Sequence, residues 1–193
     1  DISNNPFKID FLNYKKNKKT DIKLSLKGKR KIKEKLIFDA ISLKEKDNIF
    51  SIKNLVISKN NKINDIENIN INYIDKYNFK NNLQITKKNQ DYLISGKSFN
   101  IDYIVDKLIN SKNNKKLKFF DKNFKFIFDI KKIYLDEKNN IDNLKGFLSL
   151  NKNEISELNL ESKFSNLKNI KLTIKDNGDE KITTLFSHEA KPL

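Results

Sequence analysis

The chain has 193 residues and a formal net charge of +15; 34% of its residues are charged and 37% are hydrophobic. Cysteine, methionine and tryptophan are absent, which excludes disulfides and thiolate metal sites. A compact chain of this length buries roughly 70% of its unfolded surface. The low apolar fraction fits strands with one wet face better than a layered α/β core.

The positive charge is almost all lysine, and Arg30 is the only arginine. Lysine, asparagine and isoleucine share A/T-rich codons, so codon vocabulary explains the excess better than selection for an anionic partner. Readers of base edges and phosphates favour the arginine fork, so this composition argues against sequence-specific nucleic-acid recognition. Residue 1 is Asp, and the chain is expected to be a segment of a longer protein. No run of 18 or so apolar residues suits a membrane span; any anchor is expected in the missing parts.

In chain order, Ile9 to Lys19 reads as a basic connection. Thr20 to Lys27 alternates as a strand, and Gly28 to Lys35 reads as a turn with a charge run. Leu36 to Lys44 and Ile49 to Ser58 read as further strands. Ile63 to Tyr73 carries isoleucines that fit neither period cleanly and is assigned as strand. Leu83 to Lys87 and Tyr92 to Ser95 form an expected short hairpin, the second strand closing on Gly96.

Ile101, Ile104, Val105, Leu108 and Ile109 form a helical stripe, so the spacing predicts one amphipathic helix near 99–111. Ser98 or Asn100 would cap it. Ser111 to Lys118 reads as a basic linker. Phe124, Phe126, Phe128 and Ile130 then alternate with Lys125, Ile127, Asp129 and Lys131 along a strand that runs to Leu135. Leu144 to Leu150, Ile155 to Lys163 and Leu167 to Lys175 suggest an antiparallel meander. Asp176, Asn177, Gly178 and Asp179 read as a type I′ hairpin turn before a strand over Lys181 to Ser187. His188 to Leu193 reads as a linker or the start of a helix.

No catalytic set stands out. His188–Glu189 resembles the start of a zinc-binding H-E-x-x-H helix, but Pro192 stands where the second histidine is needed. The carboxylates show no distinctive spacing, and the four glycines, Gly28, Gly96, Gly146 and Gly178, form no phosphate loop. No enzyme activity, cofactor or metal is expected. The phenylalanine alternation suits a core or an apolar wall better than a stacking platform for bases.

The stretch from Ile94 to Asp102 and the expected helix after it resemble the AsmA-like proteins, particularly the YhdP-type branch. Asn143-Leu144-Lys145-Gly146 is similar to that family's Asn-Leu-x-Gly step, and the run from Ile170 to Leu193 follows its pattern. The resemblance is diffuse and covers about residues 90–193. It implies a mostly β fold: a long, curled antiparallel sheet forming a taco-like groove, with one amphipathic helix. It also implies a non-enzymatic segment that guides phospholipid acyl chains between inner and outer membrane. The expected location is the periplasm, tethered to the inner membrane by an absent N-terminal anchor. Membranes would be met through parts of the parent chain.

The whole of 1–193 is expected to be one segment, with possible sub-units 1–96 and 97–193. The expected groove residues are Phe124, Phe126, Phe128, Ile130, Leu148, Leu150, Leu158, Leu160, Leu172 and Ile174. The alternative readings are a basic β domain binding an anionic polymer, either nucleic acid or polysaccharide, and a ligand-free structural surface domain.

Overall fold

Alternation of apolar and polar side chains dictates strands, and strands dominate the molecule. The computed structural model describes residues 7–16, 20–31, 35–103, 123–151, 154–164, 166–178 and 180–188. At the N-terminus lie β1 (Lys8–Ile9), a 3₁₀ turn (Asp10–Leu12) and β2 (Tyr14–Lys15). Then come β3 (Lys23–Lys31), β4 (Lys35–Glu45), β5 (Asn48–Ser58), β6 (Ile63–Asp65) and β7 (Asn68–Ile74). The long hairpin of β8 (Lys80–Lys88) and β9 (Asp91–Asn100) follows. After it come β10 (Phe124–Tyr134), β11 (Asn140–Asn151), β12 (Glu154–Phe164), β13 (Asn169–Asp176) and β14 (Lys181–Ser187).

Strands make up 74% of the described residues, as the mostly β expectation requires, and twelve of them join in one sheet that does not close into a barrel. Its order is β14-β13-β12-β11-β10-β9-β8-β7-β5-β4-β3, with β6 also paired to β5. The expected all-antiparallel sheet needs correction. The β9–β10 ladder is parallel, with Phe126 opposite Tyr92 and Ile133 opposite Phe99, so the sheet is mixed. A parallel neighbour requires a crossover, which here spans residues 101–123.

The expected helix is corrected only at its start: Phe99 and Asn100 belong to β9, and Asp102 and Tyr103 are in helical conformation. Most of the expected helix falls on residues 104–122, which lie outside the described part; among the described residues no amphipathic helix is shown. Ser98 and Asn100 are both buried strand residues; of the two cap readings Asn100 holds, since its Oδ1 accepts from the Asp102 N–H at 2.9 Å, while Ser98 bonds elsewhere. The Ser98 hydroxyl donates to the Lys80 carbonyl at 2.6 Å, and Asn100 Nδ2 donates to Asp75 at 2.7 Å.

Five further expectations shift. The Ile9–Lys19 connection contains the small β1–β2 pair. The expected turn after Gly28 is strand: β3 runs on to Lys31 through a bulge at Lys27/Gly28. Ile63 to Tyr73 is two strands, broken at Ile66 and Glu67, which explains why its isoleucines followed no single period. The β13–β14 hairpin exists, but Asn177 N–H donates to the Glu180 carbonyl, so the hairpin closes at Asn177 and Glu180, one residue later than expected. Leu167, expected in a strand, sits in the preceding turn with a left-handed φ of 64°.

Two asparagines re-phase the strands. Asn54 in β5 and Asn143 in β11 have φ near 49° and 57°, a region asparagine tolerates better than other non-glycine residues. Across Asn54, the residues packed in one apolar cluster change from Ile52 to Leu55. Across Asn143, those of the other cluster change from Leu144 to Ile141. One left-handed residue thus moves the inward set by one position and bends the strand.

A buried polar knot ties β8 and β9 to the β7–β8 turn. Asp75 accepts from Asn81 Nδ2 at 3.2 Å and Asn100 Nδ2 at 2.7 Å. Its other oxygen accepts from the backbone N–H groups of Tyr77 and Phe79. Asn81 Oδ1 in turn accepts from Asn100 N–H at 2.7 Å. Such a network is secure only while every member is satisfied.

Two predictions follow from these close fits. Asp75→Ala strands buried donors and should cost about 3 kcal/mol or more, read as a lower urea midpoint; an unchanged midpoint contradicts the knot. Gly146 has φ +131°, and a Cβ there would stand 1.9 Å from the Asn159 carbonyl oxygen. Gly146→Ala should therefore lose about 1–3 kcal/mol in the same measurement.

The apolar sheet face as candidate site

In a sheet, directly opposed residues share a face, so the register decides which side chains lie together. One row crosses eleven strands: Leu26, Ile41, Ile52, Ile69, Ile85, Ile94, Phe128, Gly146, Leu160, Leu172 and Leu185, each opposite the next. Every member is apolar or glycine. A second row runs beside it through Leu24, Leu43, Phe50, Ile71, Leu83, Gly96, Ile130 and Leu144.

The reverse face is polar. Its corresponding row is Ser25, Ser42, Ser51, Asn70, Gln84, Ser95, Asp129, Lys145, Glu161 and Lys171. A small apolar spot interrupts this face, where Ile127 lies opposite both Leu93 and Phe147. Lys125 Nζ sits 4.4 Å from the Phe147 ring centre, a cation–π contact that shields the spot.

All ten expected groove residues fall on the apolar face. Phe124 opposes Leu150, Phe126 opposes Leu148, and Phe128 and Ile130 oppose Gly146 and Leu144. Leu148 opposes Leu158, which opposes Ile174; Leu160 opposes Leu172. Phe124, Ile130 and Leu158 are buried, and the other seven are half-buried. The sequence reading missed the same face in the first half of the chain, where Ile41, Ile52, Ile69 and Ile85 continue the row. Their alternation with polar residues was the available signal.

Two zones of this face are covered. At one, Leu12 and Tyr14 pack on Tyr73, Leu83, Phe99 and Ile130. The Tyr14 ring lies 4.9 Å from Phe50 and 5.9 Å from Tyr73, centre to centre. Tyr73 Oη donates to the Leu12 carbonyl at 2.6 Å, and Tyr14 and Thr20 both donate to the buried Glu45 carboxylate. Burial, then the Glu45 contact, pushes the Tyr14 hydroxyl well above the ordinary tyrosine range. The N-terminal segment thus stoppers that end.

At the other zone, Tyr92, Phe124, Leu55 and Ile66 form a cluster with Phe126, Phe38 and several isoleucines. Tyr92 Oη donates to Asp65 at 2.9 Å, and Lys87 Nζ reaches the same carboxylate at 2.6 Å. The stretch from Leu148 and Leu150 across Leu160 to Leu172 and Ile174 belongs to neither cluster. A separate recess of about 560 Å³ is lined by Lys145, Glu161, Lys171 and Phe186 among others; it follows the mixed-charge row of the polar face. Among the described residues, no three or more His, Asp or Glu side chains are grouped to hold a metal, and no helix is long and apolar enough to cross a membrane.

The Asp65–Tyr92 pair sets a pH dependence at both ends. Burial pushes the Asp65 carboxyl up, but the hydrogen bonds from Lys87 and Tyr92 outweigh it and hold it below its ordinary value. Its stabilisation is therefore present above the ordinary carboxylate pKa and is lost as pH falls through the lowered one. Burial, then the bond to Asp65, pushes the Tyr92 hydroxyl from 10.0 up to about 12. That contribution is full below pH 10.0 and is lost as pH rises towards about 12. Melting temperatures across pH should show a shallower acid limb for Asp65→Asn and a shallower alkaline limb for Tyr92→Phe.

The chain matches no family model, no curated protein sequence and no solved structure.

Proposed function

We propose that the apolar face lines a groove that holds phospholipid acyl chains, and that the chain is a non-enzymatic lipid-binding segment of the AsmA-like kind. The observation that carries this reading is the unbroken apolar row from Leu26 to Leu185, backed by a polar reverse face. A closed sandwich would set a second sheet against the row; among the described residues, β1 and β2 are the only strands outside the twelve-stranded sheet. The half-buried stretch over Leu148, Leu150, Leu160, Leu172 and Ile174 is the place for chains to lie.

Acyl chains need no polar site. Burying each CH₂ contributes about 0.8 kcal/mol, so a smooth wall of leucine and phenylalanine suffices and headgroups stay in water at the rim. The stoppered end at Tyr14 and Tyr73 would set how far a chain enters. In this reading the sheet curls around its apolar face, works in the periplasm, and passes lipid between inner and outer membrane as part of a longer protein. A polyanion-binding reading fits less well, because the polar row alternates Asp129, Lys145, Glu161 and Lys171 rather than presenting one sign of charge.

Native mass spectrometry on protein purified without denaturant tests the proposal. Phospholipid adducts are expected on the wild-type chain and should be lost in Phe126→Asp and Leu148→Asp variants whose circular dichroism is unchanged. A folded, lipid-free wild-type protein overturns the reading.

A further inference from the structure

The two edges of the sheet are built differently. On β3, Lys23, Lys27, Lys29 and Arg30 are exposed, and a bulge breaks the register at Lys27/Gly28; charge and bulge are the usual protection of an edge. On β14, the six residues Ile182 to Ser187 carry no charge, proline, glycine or bulge. Every residue of that strand is exposed, and among the described residues no further strand lies on its outer side.

Apolar side chains also appear on both faces of β14. Leu185 ends the apolar row, while Ile182 and Phe186 stand on the otherwise polar face, 50% and 52% exposed. The backbone is poised as well. His188 N–H donates to the Asn169 carbonyl, which fixes the alternation of the β13–β14 ladder. Phe186, Thr184 and Ile182 are then the residues bonded to β13, and the backbone groups of Thr183 and Leu185 point to the open edge.

We propose that β14 pairs antiparallel with β14 of a second copy of this chain, across a two-fold axis at Thr184. In that register Thr183 of each copy meets Leu185 of the other, both with outward backbone groups. Ile182 meets Phe186, so each exposed apolar residue on the polar face gains an apolar partner. Glu180 meets His188, and Lys181 meets Ser187, so no like charges oppose. The same patch serves both copies, and the contact closes as a dimer. The alternative partner, β3 of another copy, would set four cations against a strand without a carboxylate and would propagate as an open filament.

A two-fold axis normal to the sheet keeps both apolar faces on one side, so the dimer doubles the width of the apolar surface. The inference does not rest on the lipid reading. An edge contact of one strand lies at the small end of specific interfaces, so association in the micromolar range is expected.

Sedimentation velocity over a concentration series tests it. The wild-type chain should move from monomer to dimer mass as concentration rises. Thr183→Pro removes an outward N–H and leaves the β13 ladder intact, so it should stay monomeric with an unchanged melting temperature. Should that variant fail to fold, Thr184→Lys and Thr184→Glu take its place. Each alone sets like charges across the axis and should be monomeric, and an equimolar mixture should restore the dimer. A wild-type monomer at every concentration overturns the proposal. So does a dimer that survives Thr183→Pro or Thr184→Lys, or a mixture that stays monomeric.

Discussion

A one-layer sheet leaves each strand a single way to satisfy its neighbours: apolar side chains must stay on the same side from the first strand to the last. The side-chain period is two, so a slip of one residue would turn a strand's whole apolar set to the wrong face. The constraint is severe here because it is met across eleven strands. Strand curvature threatens it, since a long ladder that twists must bend somewhere. Asn54 and Asn143 absorb the bend by taking a left-handed residue within β5 and β11. Their opposite strands, β4 and β10, change phase at the same level, so the apolar rows continue past the kink. Asparagine rather than glycine at these points keeps a polar side chain on the strand, and Asn54 uses it to donate to Glu67.

The parallel β9–β10 ladder is the second constraint. It joins two antiparallel halves whose strands could each have formed a separate sheet. Parallel pairing has no local hairpin to hold it in register, so tertiary contacts must do so. Ile133 and Ile130 pack with Phe99 and Leu83 across the joint, and Phe124 and Phe126 pack on Tyr92. The Asp75 knot fixes the end of β9 from beneath, and Ile101 N–H donates to the Tyr134 carbonyl just past it. The possible sub-units at 1–96 and 97–193 therefore share a continuous ladder, and β9 itself straddles the division between them.

Alternation made the strands legible, and it placed Phe124, Phe126, Phe128, Ile130 and their partners on one face before any register was known. Register itself was not legible, because identical spacing suits several pairings; the parallel joint is the clearest case. Asn100 was legible as a cap, since its Oδ1 accepts from the Asp102 N–H, but a sequence does not show that its Nδ2 reaches Asp75 or that the Ser98 hydroxyl turns to the Lys80 carbonyl. Ile63 to Tyr73 was obscure because two residues of loop, Ile66 and Glu67, divide two short strands. Gly146 was legible as part of a motif but not as the point where the Asn159 carbonyl comes close.

An apolar face is a hazard wherever water meets it, and the rest of the molecule counters it. The lysine excess gives the monomer a strong like charge, which keeps copies apart at long range. Outside the Ile127 spot and the β14 edge, rows of asparagine, serine and charged residues give water the reverse face. The N-terminal stopper and the Tyr92 cluster cover two zones of the apolar side, and the β3 edge is guarded by cations. Against that background, the uncharged β14 edge and the half-buried stretch beside it stand out by contrast. Coverage extends to Ile141 on β11, Phe164 on β12 and Ile170 on β13, and leaves out the stretch over Leu148, Leu150, Leu160, Leu172 and Ile174. The two proposals use what is left: an acyl chain on that stretch of the face, a second strand at the β14 edge.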